Sequence, residues 1–158
     1  MTQDLQQCPS AAAFEDFARD RTGLDDFGDP GRNAGLAAYV DSIAGETWHG
    51  MTDQARGVAV EYVTHVLATR LRLIADRKAH PEIAAQKITA PLIVVGPPRS
   101  GSTLLHTLLA LDPDNMAPEH WLCREPSPPP ALGLPDAARL ARADERMAGL
   151  FGLIPDIF

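Results

Sequence analysis

The chain has 158 residues, which suits one domain or one domain with an extension, and 45% of them are hydrophobic, enough to form a core. Its formal net charge of −7, with no run of Lys or Arg, argues against a partner made of nucleic acid. No apolar stretch approaches the length of a membrane span, so the composition also argues against a transmembrane segment.

The two cysteines and the N-terminal residues indicate the cellular location and the absence of a metal site. Cys8 and Cys123 are too few for a disulfide framework and lack the spacing of a metal site. The first twenty residues are polar and acidic, without the apolar core of a signal peptide. We therefore expect a cytoplasmic protein that binds no metal. The sequence leaves homo-oligomerisation open.

The chain begins with a predicted helix over residues 10–20, with Ser10 as its N-cap. Three residues are expected on its buried side: Phe14, Phe17 and Ala18. Residues 22–31 are rich in Gly, Asp and Pro, which is typical of a surface loop. Their aspartates lack the ligand spacing of a calcium loop, so we expect no calcium there.

Two further helices are predicted over residues 34–48 and 53–79. The second has the stronger pattern, because its apolar residues recur at steps of three and four: Ala59, Val63, Val66, Leu67, Leu71 and Ile74. Thr52 or Asp53 can cap its start, and the His80-Pro81 pair ends it. Its basic residues are expected on a solvated face: Arg56, Arg70, Arg72, Arg77 and Lys78.

The most informative pattern lies in residues 91–105. Residues 91–95 are apolar and rich in β-branched side chains, which predicts a buried strand of a parallel sheet. Gly96 interrupts the strand, and a helix is expected to begin at residues 101–103. The leucines expected on the buried side of that helix are Leu104, Leu105, Leu108 and Leu109. A strand, a glycine loop and a helix N-terminus together form a common anion-binding arrangement.

The loop nearly matches the nucleotide-binding pattern Gly-x-x-x-x-Gly-Lys-[Ser/Thr]. Gly96 and Gly101 occupy the two glycine positions, and Thr103 occupies the final hydroxyl position. Ser102 stands where the pattern has Lys, the residue that reaches the β- and γ-phosphates of a triphosphate. Arg99 supplies a different cation, one that can bind an anion through two hydrogen bonds. The sequence therefore predicts an anion site that is poorly suited to ATP.

Beyond the loop helix, Asp112-Pro113 ends the helix, and residues 126–130 are too rich in proline for regular structure. Residues 135–151 return to a helical pattern.

Residues 98–105, Pro-Arg-Ser-Gly-Ser-Thr-Leu-Leu, resemble the 5′-phosphosulfate-binding loop of sulfotransferases that use 3′-phosphoadenosine 5′-phosphosulfate (PAPS). The common form of that loop is Pro-[Lys/Arg]-Ser-Gly-[Ser/Thr]-Thr. The resemblance is closest to bacterial sulfotransferase-like proteins and extends more distantly to tyrosylprotein sulfotransferases. Leu-Asp-Pro at 111–113, Trp121 and the proline-rich residues 125–130 are also similar to the bacterial group. An acidic residue commonly follows that Trp, whereas this chain has Leu122.

The resemblance implies an α/β fold with a P-loop-like parallel sheet and flanking helices, preceded by a helical N-terminal segment. Residues 1–88 would be the helical segment, and residues 89–158 the first part of the sulfotransferase domain. The implied enzyme moves a sulfuryl group from PAPS to a small-molecule hydroxyl or amine acceptor, without a metal. The residues implied in binding PAPS are Pro98, Arg99, Ser100, Gly101, Ser102, Thr103 and Leu104.

The resemblance also suggests where to look for the catalytic base. In tyrosylprotein sulfotransferases an acidic pair that includes the base follows the loop at about the distance of Glu119 and His120. Either residue can take a proton from an acceptor hydroxyl or amine. A histidine's ordinary pKa lies near neutrality, which favours His120. A capping or structural role for these residues is the alternative.

Two other functions remain open at this stage. A different P-loop enzyme, such as a small-molecule kinase, would need a lysine or a magnesium-binding aspartate that the sequence does not reveal. A non-catalytic helical interaction fragment would bind no nucleotide. The sulfotransferases that the chain resembles are considerably longer, only one strand is recognisable, and residues 154–158 are an apolar ending. We therefore expect an incomplete domain, the N-terminal portion of a sulfotransferase that is inactive by itself.

Overall fold

The computed structural model describes residues 5–29, 34–129 and 137–153. Residues 154–158, on which the expectation of an apolar ending rests, lie outside them, as does Pro130 of the proline-rich segment. The described elements are α1 (Ala11–Thr22), α2 (Ala34–Ile43), α3 (Glu46–Gly50), α4 (Asp53–Ala79), α5 (Pro81–Ala85), α6 (Ser102–Leu109), α7 (His120–Arg124) and α8 (Ala137–Leu153). None of these helices is both long and apolar enough to cross a bilayer.

The chain divides into two compact units. The first comprises Met1–Pro81 together with Ser127–Pro129, and the second comprises Glu82–Pro126 together with Pro130–Phe158.

The core of the first unit forms where α1 packs against α4. Phe14 and Ala18 of α1 are completely buried, which confirms the predicted inward face of this helix. Ser10 caps α1 as predicted, because its hydroxyl accepts a hydrogen bond of 3.2 Å from the Ala13 N–H. The residues that α4 contributes to the core are Val63, Leu67, Ala68 and Leu71.

The single helix predicted over residues 34–48 is wrong, since the structure has two helices, α2 and α3, in this region. The break falls at Gly45, whose φ of 71° lies in the left-handed region that a helix cannot contain. After this break the chain forms α3, in which Trp48 is completely buried. The Trp48 indole N–H donates to the carbonyl of Leu5 over 3.0 Å.

The predicted helix over residues 53–79 is confirmed as α4, and its cap is Thr52, which accepts from the Ala55 N–H. The prediction that its arginines are solvated is wrong for Arg56, which is only 8% exposed. Arg56 Nε and one Nη donate to the carbonyls of Trp48 and His49, at 3.0 and 3.1 Å, near the end of α3. The last carbonyls of a helix lack partners of their own, so this arginine joins α3 to α4.

The predicted parallel sheet is also wrong, because the described residues contain no strand. Residues 91–95 form no regular element, and Leu92, Ile93 and Val95 are 68%, 77% and 88% exposed. A strand exists only where neighbouring strands bond its N–H and C=O groups, and no described segment does so here. The β-branched run therefore does not by itself make a strand.

The helix predicted after the loop is present as α6, but the burial expected for its leucines is wrong. Leu104, Leu105 and Leu108 are 65%, 48% and 55% exposed, and no residue of α6 is buried. In the same unit α7 packs against α8, where Trp121, Arg139 and Ala143 are buried. The helix predicted over residues 135–151 is observed as α8.

Replacing Arg56 tests its role between α3 and α4. We expect Arg56→Ala to lower the free energy of unfolding by about 2–3 kcal/mol, because it removes a charged donor from the carbonyls of Trp48 and His49. Arg56→Lys should lie in between, since lysine keeps the charge but loses the planar fork. Urea unfolding measures both. Arg77→Ala, at an exposed position of the same helix, is the control and should change stability by less than ~0.5 kcal/mol. Equal effects at positions 56 and 77 would contradict this role.

The loop after α1 contains an ion pair between Asp26 and Lys78. The Lys78 ammonium, together with the Gly28 N–H, lowers the pKa of Asp26 below its usual range. A lowered pKa means that this contribution to stability is present above pH ~4 and is lost as the pH falls through the folded-state pKa.

We expect Asp26→Asn to lower the Tm slightly at pH 7, while the gap from the wild type closes near pH 2.5. The asparagine oxygen can still accept from the Gly28 N–H, so the substitution isolates the ion pair. Thermal unfolding at both pH values measures the gap, with Asp41→Asn on α2 as the control. A gap that does not change with pH would rule out the ion pair as its cause.

Candidate functional site

The predicted anion loop contains a tight turn over residues 97–100. The Ser100 N–H donates to the Pro97 carbonyl over 3.3 Å, and Pro98 and Arg99 occupy the two central positions. Arg99 has a φ of 62°, in the left-handed region that usually favours glycine. Pro followed by a residue of positive φ is the signature of a type II turn. Backbone strain of this kind is concentrated at functional sites, and here it falls on the one cation of the motif.

A second left-handed residue starts α6. Gly101 has a φ of 81° and is the N-cap of the helix, with no side-chain capping hydrogen bond. The first hydrogen bond inside the helix runs from the Leu105 N–H to the Gly101 carbonyl, over 3.0 Å. The N–H groups that precede it belong to Ser102, Thr103 and Leu104, and they have no carbonyl within the helix to bond. They form a set of donors at the positive end of the helix dipole.

Gly96 brings the Ser100 hydroxyl close to the loop backbone. A Cβ at position 96 would lie 2.5 Å from Ser100 Oγ, closer than any real contact. Only glycine therefore leaves room for the Ser100 side chain in this position. The two glycines of the motif have separate purposes: Gly96 provides space, and Gly101 provides a left-handed backbone.

The structure places the predicted PAPS-binding residues on one turn and the first turn of α6. Arg99, Ser100 and Thr103 are exposed, and Ser102 is half-buried. The arrangement offers backbone N–H donors, hydroxyls and a guanidinium to an anion from solvent. This donor set fits a phosphosulfate, which needs hydrogen-bond donors and a cation around its oxygens.

The two residues predicted as the base lie at the start of α7, in the same compact unit as the loop. Glu119 is the N-cap of α7, but its side chain makes no capping hydrogen bond. Instead its Oε2 accepts a hydrogen bond of 2.6 Å from the indole N–H of Trp121. The Glu119 carboxylate therefore does not cap α7, because it bonds to the Trp121 side chain instead. His120 is the first residue of α7.

Comparisons with known proteins identify the family that the chain resembles. The sequence profile of a sulfotransferase family matches residues 91–147, which include the loop, Glu119 and Trp121. The predicted resemblance to bacterial sulfotransferases is confirmed. The crystal structure of sulfotransferase STF9 from Mycobacterium avium superposes with a TM-score of 0.75 at 34% identity, over 89% of this chain and 36% of that one.

A second sulfotransferase, STF1 from Mycobacterium tuberculosis, superposes with a TM-score of 0.76 at 26% identity, over 95% of this chain and 41% of that one. The chain thus spans 36% and 41% of the length of these two sulfotransferases. No curated protein sequence matches the chain.

Sequence reasoning missed one cluster in the same compact unit as the predicted anion loop, formed by Trp121, Glu125 and Arg139. Arg139 is 4% exposed, donates to the Glu125 carbonyl, and places its guanidinium carbon 5.2 Å from the centroid of the Trp121 ring. The Glu125 carboxylate lies 3.9 Å from Arg142 Nε. Arg139 follows Trp121 by eighteen positions on another helix, so spacing along the sequence gave no signal of their contact.

Substitutions of Arg99 should affect anion binding and the stability of the turn differently. We expect Arg99→Ala to weaken binding of a phosphosulfate ligand by about 10- to 150-fold, the loss of a charge-assisted contact worth ~1.5–3 kcal/mol. Arg99→Lys should recover part of the affinity, because lysine keeps the charge but not the fork. Arg99→Gly should bind as weakly as Arg99→Ala, yet be more stable than it by ~1 kcal/mol, because glycine adopts positive φ without strain.

Calorimetric titration and urea unfolding give the two quantities. Lys87→Ala, an exposed cation in the same unit, is the control for a general loss of positive charge. Normal affinity of Arg99→Ala would remove Arg99 from the site.

Proposed function

We propose that this chain binds the 5′-phosphosulfate of PAPS at residues 97–104 and takes part in sulfuryl transfer to a small-molecule hydroxyl or amine. The observation on which the proposal rests is the start of α6, where three uncapped N–H groups follow a turn that has Arg99 at its corner. The family match at 91–147 supports the same reaction class.

In this proposal each loop residue has one task. The N–H groups of Ser102, Thr103 and Leu104 bind the oxygens of the 5′-phosphate, where negative charge grows as the S–O bond breaks. Arg99 binds the same group through its guanidinium. The hydroxyls of Ser100, Ser102 and Thr103 donate to the remaining oxygens, while Pro98 and Gly101 fix the backbone that carries these donors.

The reaction is a direct transfer. The acceptor oxygen or nitrogen forms a bond to sulfur while the bond from sulfur to the 5′-phosphate oxygen breaks, and that oxygen keeps the electron pair. 3′-Phosphoadenosine 5′-phosphate (PAP) leaves. The proton of the acceptor goes to a base, for which Glu119 and His120 are the candidates. The donors lower the barrier mainly by holding charge that develops during transfer.

Ser102 favours this reaction over phosphoryl transfer from ATP. The lysine that neutralises the β- and γ-phosphates in P-loop enzymes is replaced by a hydroxyl. A sulfuryl group in transfer carries less negative charge than a phosphoryl group, so N–H donors, hydroxyls and one guanidinium suffice.

The domain boundary and the cellular location stay predictions alongside this proposal. The boundary near residue 88 would separate a helical segment from the transferase domain. We also expect a cytoplasmic location, because two cysteines are too few for a disulfide framework. Homo-oligomerisation remains open.

Ligand choice tests the proposal directly. We expect calorimetric titration of the 158-residue chain to show that PAP binds at least ~10-fold more tightly than ATP with Mg²⁺, a difference of ~1.4 kcal/mol. Chelation of divalent ions should leave the affinity for PAP unchanged, because no metal is needed in the loop. Adenosine 3′-phosphate, which lacks the 5′ group, is titrated in the same way, so that the contribution of the 5′-phosphate to binding is measured separately.

Tighter binding of ATP that depends on Mg²⁺ would favour the small-molecule kinase instead. Binding of neither nucleotide would favour the non-catalytic interaction fragment.

A further inference from the structure

Trp121 connects the candidate base to the interior of its unit. Trp121 is only 7% exposed, while Glu119, two positions earlier, is exposed. The indole N–H donates to Glu119 Oε2 over 2.6 Å, a short distance typical of a hydrogen bond to a charged group. A buried ring that holds an exposed carboxylate by one oxygen restricts the rotation of that carboxylate.

Arg139 in turn holds the ring. It lies on α8, its guanidinium carbon is 5.2 Å from the indole centroid, and one Nη donates to the Glu125 carbonyl at the end of α7. Arg139 Nε makes no hydrogen bond to any described residue, although it is buried. The face of the indole therefore adds to the stabilisation of this cation. A cation on the ring face draws electron density from the indole and makes its N–H a stronger donor.

We propose that Trp121, supported by Arg139, is a positioning residue that orients Glu119 as the base for the acceptor proton. This inference rests on the proposed function, and it selects Glu119 over His120. The hydrogen bond occupies Oε2, so Oε1 is the oxygen that takes the proton. The capping alternative does not use the carboxylate, because Glu119 makes no side-chain capping bond.

The test uses the indole N–H resonances of the 158-residue chain, observed by ¹⁵N–¹H NMR. Trp121→Phe assigns the Trp121 resonance. We expect that resonance to move when the solution is acidified and the bonded carboxylate gains a proton, and Glu119→Gln to abolish this movement. Trp48 is the internal control, since its indole N–H donates to the neutral carbonyl of Leu5.

Other charged groups near Trp121 need their own control. They are Arg124 of α7, Glu125 immediately after it, and Arg139 and Arg142 of α8. Glu125→Gln removes the other carboxylate of this cluster and should leave the pH-dependent shift of the Trp121 resonance in place. His120→Gln should likewise leave the shift in place. If Glu119→Gln leaves the shift intact, or Glu125→Gln abolishes it, the proposal is wrong.

Arg139→Met keeps a side chain of similar length without the charge. We expect it to move the Trp121 N–H resonance upfield, towards that of Trp48, and Arg139→Lys to restore part of the difference. If Arg139→Met fails to fold, Arg139→Lys and Glu119→Gln still decide the question. An unchanged resonance in a folded Arg139→Met protein would remove Arg139 from the proposal.

A transfer assay with PAPS and a phenol, run on the full-length natural protein, separates positioning from structure. We expect Trp121→Phe, which keeps the ring but loses the N–H, to lower kcat ~10-fold or more while the KM for PAPS changes less than twofold. His120→Gln should have the smaller effect on kcat. A larger loss with His120→Gln would assign the base to His120 and overturn the proposal. If the wild-type 158-residue chain does not bind PAP, the proposed function fails, whereas the indole resonance still reports whether Trp121 holds Glu119.

Discussion

Helix ends must find partners for backbone groups that the helix itself cannot bond, and this requirement organises much of the described structure. Ser10 and Thr52 satisfy N–H groups at the starts of α1 and α4. Arg56 satisfies carbonyls near the end of α3, and Arg139 satisfies the Glu125 carbonyl after α7. The start of α6 differs from these, because Gly101 brings no capping side chain. Its N–H groups are the donors on which the proposed anion site depends.

The loop also combines features that stability alone would not select. Arg99 holds a positive φ that a glycine would adopt without strain, and Gly96 leaves space for the Ser100 hydroxyl. Leucines of α6 and the apolar residues of 91–95 are exposed. In the related mycobacterial sulfotransferases the matching region is 36% or 41% of the chain. The loop thus has its local geometry within these residues, although they form no sheet in the described structure.

Two buried arginines, Arg56 and Arg139, connect helices through their guanidinium groups. Arg56 and Arg139 are each less than a tenth exposed, and both donate to backbone carbonyls at the end of a short helix. Desolvating a guanidinium is costly unless its donors are bonded or its face is covered. Arg56 meets this cost with hydrogen bonds, whereas Arg139 also covers the Trp121 ring. The second arrangement links the packing of α7 on α8 to the carboxylate of Glu119.

The sequence alone determined the local features: the position of α1, the whole of α4, the start of α6 and the resemblance of residues 98–105 to a sulfotransferase loop. Each depends on residues close together in the chain, through capping, helical periodicity or a short motif. Tertiary structure decided the rest. Gly45 divided a predicted helix so that Trp48 could be buried, and residues 91–95 remained unpaired because a strand requires partners from distant segments. The contact of Arg139 with Trp121 likewise joins two helices, and no pattern of neighbouring residues in the sequence predicts a contact between them.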